Sequence, residues 1–411
     1  MTPSPPPGMV AQMRQLLNAA LPFRRVQLLV TFVLTMAGAV AELVTLGAVL
    51  PVVTPRYMIS GVALAQHRFA RALAVRGHDV DLIIGRTDSG LEVPPSPGVN
   101  VILFDRPKVR HMAAPLWRYF RRARPDVVFT AEDHLNTLVL LIAVAARSKA
   151  RISGSSRVTP FDTYSPRWFS KRWLLKQLSR VSFGRADVLT CVSQDMVGQY
   201  RTVFGGKAPH VAVYNIVNDD ASRRRLRDPV DEPWLTDKRG PVVIAAGTLA
   251  PWKGFGDLIE AFASVRRDAR LIILGDGPLR AELEAQIERL GLRERVKLPG
   301  FVHDPINHFA RAEVFVLSSY VEGLPNVLVE AMLAGCTPVA TDCPTGPREV
   351  LEGGRFGYLV PIGDARAMAA AIEQALDHPT APALLAEAIR PFEEGAVIDR
   401  HFELLGLGGA S

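Results

Sequence analysis

The chain has 411 residues, 48% of them apolar and 22% charged, with a formal net charge of +7. That length exceeds one ordinary hydrophobic core, and the composition excludes a disordered or fibrous protein, so two globular domains plus an extra segment are expected. Cys191, Cys336 and Cys343 have no zinc-ligand spacing and cannot build a disulfide framework, which fits a reducing compartment, and the basic balance suits anionic partners.

Residues 1–45 read as a Pro-rich start followed by an apolar helix. From 26 to 53 the chain is almost continuously apolar, interrupted mainly by Gln27 and Glu42 and preceded by Arg24 and Arg25. The run is long enough to span a bilayer with the arginines on the cytoplasmic side, and too long for a signal peptide. Three readings stand: a transmembrane or re-entrant anchor, an interfacial helix, or a helix whose end supplies the opening strand of the next domain. Residues 24–53 also resemble the first membrane helix of an ABC exporter. No G-x-x-x-x-G-K-[ST] loop occurs in the chain, so it is not itself an ATP-driven transporter, and a gene fusion or misplaced start is the other source of such a leader.

From residue 46 onward, short β-rich apolar runs alternate with amphipathic stretches, the pattern of parallel sheets covered by helices. A strand ending near Val53 leads through Ser60-Gly61 into a helix that stops at Arg76-Gly77. Strands follow at 79–85, 99–104, 126–130, 150–154, 188–192 and 210–213, completing a first domain over 46–215. The polar stretch 216–240, with Arg223, Arg224, Arg225 and Arg227, reads as a linker. The rhythm restarts with strands at 242–246, 270–274, 296–298, 314–317 and 337–341 and helices at 256–265 and 279–290, giving a second domain over 241–385. Residues 386–411 form a closing segment. The expected fold is α/β, two Rossmann-like doubly wound domains facing a cleft, with ligands at the carboxyl ends of the strands.

Asp79-Val-Asp81 is formally a D-x-D, but it lies inside a predicted strand without a companion ligand, so no metal site is expected. Over 167–185, Trp168, Phe169, Trp173, Leu174, Leu175 and Leu178 interleave with Arg167, Lys171, Arg172, Lys176 and Arg180. That mixture suits a membrane-surface helix, or equally a helix that buries its apolar stripe.

The strongest chemical signal is Glu322-Gly-Leu-Pro-Asn-Val-Leu-Val-Glu330, directly after a predicted strand. Glu322 falls in a Gly/Pro loop at a strand's carboxyl end and Glu330 a turn or more into the following helix. Carboxylates grip vicinal hydroxyls of a ribose or hexose, and the backbone N–H groups at the helix start offer an anion site. The segment resembles the E-x7-E motif of the retaining, GT-B fold glycosyltransferases of family 4, a likeness running from about Val62 to the C-terminus. Gly247-Thr-Leu-Ala-Pro-Trp-Lys253-Gly254, Leu274-Gly-Asp-Gly-Pro278, Pro299-Gly300-Phe301-Val302 and Pro344-Thr-Gly-Pro-Arg348-Glu-Val350 stand in the family's order and spacing.

The resemblance implies that Glu330 binds the donor ribose, that Glu322 contacts the transferred hexose near the reacting carbon, and that 386–411 is a C-terminal helix crossing back to the first domain. Around them Gly247, Thr248, Gly300, Phe301, Val302, Gly323, Leu324, Pro325, Asn326 and Val327 would complete the donor site. Lys253 would meet the diphosphate, helped by Arg348, because Thr248 stands where the family usually carries an arginine. Phe301 could equally be plain core. In the first domain Met58-Ile-Ser-Gly61-Val offers one glycine where relatives have a glycine-rich loop. His134 resembles the acceptor-side catalytic histidine, with Glu132 and Asp133 competing for the role, and Arg157 stands where it could line the cleft.

The function implied is retaining transfer of a hexose from a nucleotide sugar, UDP-linked, to a polysaccharide or lipid-linked acceptor at the cytoplasmic face of the inner membrane. The nucleotide sugar is a co-substrate; no metal or other cofactor is expected, since lysine and helix dipoles can stabilise a leaving diphosphate. The alternatives are a membrane-tethered scaffold with a decayed site, or a sugar-nucleotide epimerase on the same fold. No nucleic-acid-binding motif is present.

Overall fold

The computed structural model describes residues 49–57, 61–88, 91–205 and 210–407. The apolar leader through residue 48 lies outside these, and with it the anchor readings. Among the described residues no helix is long and apolar enough to cross a membrane.

The first sheet contains β1 (Val52–Thr54), β2 (Val80–Ile84), β3 (Val99–Leu103), β4 (Val127–Ala131), β5 (Arg151–Ser156), β6 (Val188–Cys191) and β7 (His210–Ala212), in the order β3-β2-β1-β4-β5-β6-β7. The second contains β8 (Val242–Ala246), β9 (Arg270–Leu274), β10 (Val296–Gly300), β11 (Val314–Leu317), β12 (Thr337–Thr341) and β13 (Tyr358–Val360), in the order β10-β9-β8-β11-β12-β13. All strand pairs are parallel. The central strands β1, β4, β8 and β12 are buried at every residue. Helices cover both faces, so these strands read as unbroken apolar runs rather than alternating ones. Strand β13 was not anticipated, because three residues behind Gly353, Gly354 and Gly357 are too few to show a pattern.

In each sheet the winding direction reverses between the first strand and its neighbour, β1/β4 in one and β8/β11 in the other. A crevice opens at the carboxyl ends of the strands at such a reversal. Two cavities sit there.

The stretch 216–240 carries more structure than its polarity suggests. Val217, Val230 and Leu235 are buried in one apolar cluster with residues of both sheets, and short helices form at Asp220–Arg225 and Pro233–Thr236. Three apolar anchors among many charges were invisible to a composition-based reading. Beside this stretch the chain crosses back: the Val217 and Asn218 amides both donate to the Phe392 carbonyl at 3.1 Å. The closing helix Glu394–Leu404 then packs on the helix Gly61–Val75 of the first domain. Arg76 fastens it through Asp399 at 2.6 Å and the Gly395 carbonyl at 3.2 Å.

Candidate active site

The second-domain wall is built from loops that follow β8 and β11. After β8 the chain makes a tight turn over Pro251–Lys253 and exits through Gly254 at φ +63°. A Cβ there would lie 2.1 Å from the Ser318 carbonyl oxygen, so only glycine lets the two loops touch. Gly275 plays the same part after β9, where a Cβ would stand 1.9 Å from the Gly247 carbonyl. The Ser318 hydroxyl donates to the Lys253 carbonyl at 2.7 Å. This contact aims Lys253 Nζ at Glu322 Oε1, 2.6 Å away, and the Ser319 hydroxyl donates to the same oxygen at 2.6 Å. The two charged side chains are only 18% and 12% exposed, so their attraction is far less screened than on an open surface.

Gly323, Leu324 and Pro325 carry the chain from Glu322 into the helix Asn326–Leu333. Gly323 passes close to the Arg157 carbonyl of the first domain, where a Cβ would stand at 3.0 Å. Asn326 Oδ1 accepts from Asn215 Nδ2 at 2.9 Å, and Asn215 in turn accepts from Arg157. One turn further, Glu330 is 9% exposed and accepts from Arg68 at 3.0 Å. Arg68 belongs to the helix Gly61–Val75, so this pair ties the two domains across the cleft. Burial works against the Arg68 charge, but Glu330 and Asp219 outweigh it and hold its pKa above the ordinary arginine value.

The resulting cleft has a volume of about 590 Å³, within the usual range of small-molecule sites. Of the residues singled out in sequence, it brings together Gly247, Thr248, Lys253, Phe301, Val302, Asn326, Val327 and Glu330. Phe301 is 57% exposed on this wall and is therefore not core. Glu322 reaches the cleft through Lys253. Gly300, at φ +113°, ends β10 in a bulge and accepts from the Gly275 amide at 2.8 Å, which shapes the wall without lining it. Arg348 lies elsewhere, exposed and paired with the Asp342 carboxylate.

The cleft also holds residues that sequence reasoning missed: Tyr57, His67, Arg68 and Arg71 from the first domain, with Arg225 and Asp304. Arg71 pairs with buried Asp219, and Arg225 with Asp304 at 2.8 Å. Arg68 and Arg71 are three apart on one helix, a same-face pair of cations that the sequence does display.

A second cavity, of about 320 Å³, lies at the carboxyl ends of the first sheet. Glu132 and His134 line it, with His134 Nε2 3.3 Å from Glu132 Oε2. Burial, reinforced by the Asp133 charge and opposed by Arg157, pushes the Glu132 carboxyl up to about 7. Burial likewise lowers the His134 pKa, which keeps its ring neutral near neutral pH. Asp133, a competitor for this role by sequence, is instead enclosed and accepts from the Ser156 hydroxyl at 2.5 Å and from Tyr200. Arg157 is half-buried and lines neither cavity; desolvation pulls its pKa down to about 10 against the opposing effect of Glu132. Gly61 opens the helix whose next residues, Val62 and Ala63, form part of this second wall.

Among the described residues no cluster of three His, Cys, Asp or Glu could hold a metal ion. Asp81 of the D-x-D accepts from Asn100 at 2.7 Å and Tyr119 at 2.6 Å. Cys336 is buried, its thiol donating to the Phe309 carbonyl at 3.1 Å.

Comparison with known proteins places this geometry. Residues 59–221 match the model described as "Glycosyltransferase Family 4" and residues 240–378 the model described as "Glycosyl transferases group 1". The lipopolysaccharide core biosynthesis glycosyltransferase LpsE of Rhizobium meliloti is 35% identical over 308 residues, 72% of this chain and 78% of the relative. The N-acetylgalactosamine-N,N'-diacetylbacillosaminyl-diphospho-undecaprenol 4-alpha-N-acetylgalactosaminyltransferase of Campylobacter jejuni is 36% identical over 157 residues. That alignment spans 38% of this chain and only 41% of the relative's length. Among solved structures, Anabaena HepE in complex with UDP superposes with a TM-score of 0.68 at 21% identity, covering 87% of this chain and 99% of that one, a likeness of fold. The chain thus belongs to the GT-B glycosyltransferases, with a family 4-type first domain and a group 1-type second domain.

Proposed function

We propose that the protein transfers a hexose from a UDP-sugar, with retention, to a polysaccharide or lipid-linked acceptor at the cytoplasmic face of the inner membrane. The observation that carries this reading is the interdomain cleft in which Lys253, Glu322 and Glu330 converge. On this reading Glu330 accepts from two ribose hydroxyls once Arg68 yields. Lys253 and the amides at the start of the helix Asn326–Leu333 are placed to take the diphosphate. As the bond from the anomeric carbon to the diphosphate breaks, negative charge grows on the leaving oxygen, and these preorganised groups stabilise it without a metal. The acceptor hydroxyl then bonds to the carbon from the same face, its proton passing to the leaving phosphate. The E-x7-E spacing supports the retaining mode by family resemblance. HepE, of the same fold, is known in complex with UDP, and the names of the relatives above point to envelope glycans and a diphospho-undecaprenol carrier.

Support for a membrane surface comes from Trp168 and Phe169, 73% and 85% exposed just before the basic helix Lys171–Ser182. Trp168 stacks on Trp173 at 5.9 Å, and exposed Leu174 and Val181 extend the apolar face among Arg167, Lys171 and Arg172. Such a face suits the boundary between headgroups and acyl chains.

The test is calorimetric titration of the full chain with UDP, GDP and ADP, in wild type, Glu330→Ala and Glu330→Gln. Micromolar binding of UDP alone, lost in both variants, is expected. A preference for GDP or ADP would reassign the base, and no binding by any nucleotide to folded protein would leave the decayed scaffold as the better reading.

A further inference from the structure

The cavity in the first domain has a charge pattern that donor binding does not explain. Strands β3, β2 and β1 are consecutive neighbours in the sheet, and each delivers one arginine just past its carboxyl end. Arg106 follows Leu103, Arg86 follows Ile84 and Arg56 follows Thr54, and all three line the same cavity. Past the carboxyl end of the next strand in the order, β4, come Glu132 and, in the first turn of the helix Asp133–Ala145, His134. Neighbouring strands lie about 4.8 Å apart, so three guanidiniums are spread over roughly 10 Å of one wall.

Little opposes them. Asp88 pairs with Arg56 and stands 3.9 Å from Arg86, and one carboxylate cannot neutralise three permanent cations. The Arg106 guanidinium makes no ion pair or hydrogen bond among the described residues, while its backbone amide is tied to the Gly85 carbonyl at 2.6 Å. Burial raises the Glu132 carboxyl to about 7, so it opposes the cations less than an ordinary carboxylate would. Val62 and Ala63, in the first turn of a 15-residue helix, also line the cavity and bring the positive end of the helix dipole to it. Arg56 and Arg106 are exposed and Arg86 is half-buried, so solvent reaches all three. Here they converge from three separate loops on a pocket of about 320 Å³ whose other walls, Pro55, Pro107 and Val109, are apolar.

We propose that this cavity binds a phosphate or diphosphate group carried by the acceptor, at a site separate from the donor diphosphate site at Lys253. The assignment to the acceptor rests on reading the protein as a glycosyltransferase. Guanidinium forks match phosphate oxygens two at a time, so an array of three selects a phosphorylated acceptor over a neutral glycan. With the anion anchored past the ends of β1 to β3, Glu132 and His134 just beyond β4 are the groups positioned to hold the hydroxyl that is to be glycosylated. A lipid diphosphate and a phosphorylated sugar share this chemistry.

The experiment saturates the full chain with UDP, filling the cleft, and titrates it with inorganic pyrophosphate by calorimetry. One site is expected, weakened at least about tenfold in Arg86→Ala and in Arg106→Ala, with UDP affinity unchanged in both. Arg106→Lys, which keeps the charge but loses the fork, should fall between wild type and alanine. Farnesyl diphosphate and glucose 6-phosphate then distinguish the carriers, the one bound more tightly than pyrophosphate and weakened by the same substitutions naming lipid or sugar. Absence of pyrophosphate binding to the UDP-saturated protein, or binding that survives both alanine variants, overturns the proposal while leaving the donor site intact. If UDP itself fails to bind but pyrophosphate binds and is lost in the variants, the transferase reading falls and the anion site remains.

Discussion

Acid should loosen the strap that joins the two domains, and His401 gives the effect a calculable size. His401 sits on the closing helix, buried between Phe69 and Phe129, with ring centroids at 4.9 and 5.7 Å, and its Nδ1 is 3.5 Å from the Ser153 hydroxyl. Burial, aided by the charge of Arg157, pulls its pKa down to about 3. In the unfolded chain the ring titrates near its ordinary value of about 6.5. Above that value the folded and unfolded states bind the same number of protons, and the contribution to stability is complete. Below it the unfolded chain gains a proton that the folded chain refuses, so stability falls by about 1.4 kcal/mol per pH unit until the folded pKa is reached. Moving from about pH 7 to about pH 5 therefore costs about 2 kcal/mol for this residue. His210, pulled down to about 3 by burial, adds a similar loss, while Glu132, raised to about 7, gains stability as pH falls toward its unfolded value. The wild-type slope mixes these terms, but His401→Phe keeps an aromatic ring between Phe69 and Phe129 and removes only one of them. Urea denaturation followed by tryptophan fluorescence, run on both proteins at the two pH values, should show the wild type losing about 2 kcal/mol more than the variant. Equal losses would mean that the folded protein protonates His401 freely, and the enclosed position on the strap would be wrong.

Three other outcomes follow from the site. Lys253→Ala should reduce kcat by about 10² to 10³, as expected when one preorganised group facing the leaving charge is removed, and steady-state kinetics that show only a raised KM would assign Lys253 to ground-state binding instead. Gly254→Ala forces a Cβ onto the Ser318 carbonyl in a left-handed backbone; the backbone conformation alone costs about 1–2 kcal/mol and displacing the carbonyl adds to it, so the melting temperature should fall and UDP binding weaken, and unaltered values for both would show that the loops after β8 and β11 are not in contact. Replacing Trp168 and Trp173 together with alanine should abolish sedimentation with phosphatidylglycerol vesicles while leaving UDP affinity unchanged, and full retention on the vesicles would remove this face from the membrane reading.

The second domain was more legible in sequence than the first, for a physical reason. Its proposed donor wall is assembled from segments in which the relevant residues are close in the chain: Glu322 and Glu330 are separated by one loop and one turn of helix, and Lys253-Gly254 follow their strand directly. Central strands such as β8, β9, β11 and β12 are continuous apolar runs and matched their predicted bounds residue for residue. What stayed hidden depends on partners far away. Arg68 looks like any helix-face cation until the fold brings it to Glu330, 262 residues later. Asp133 looked as promising as Glu132 because nothing local shows that Tyr200 and Ser156 enclose one and leave the other lining a cavity. Arg348 stands in a segment with family-like spacing, yet its side chain turns to Asp342 on the surface.

The arginine cavity is the extreme case of that distance effect. Arg56, Arg86 and Arg106 are each separated by a complete strand, and in sequence each reads as a solvated loop residue. Their meeting is dictated by strand order alone: the chain builds β1, lays β2 and β3 outward on one side, then returns to place β4 on the other. The same winding in the second domain, β8 followed outward by β9 and β10 and then β11 on the opposite side, opens the proposed donor wall at its own reversal. One topological event, repeated, thus makes two crevices whose walls are loops and so free to differ in chemistry. In the second domain those loops carry a lysine, two carboxylates and a helix start suited to a nucleotide sugar. In the first they carry three guanidiniums beside a histidine and a carboxyl held near neutrality. A fold that fixes where ligands bind, but not which, lets the donor site follow the family pattern while the facing site takes a charge pattern of its own, and that facing site is where acceptor specificity should be sought.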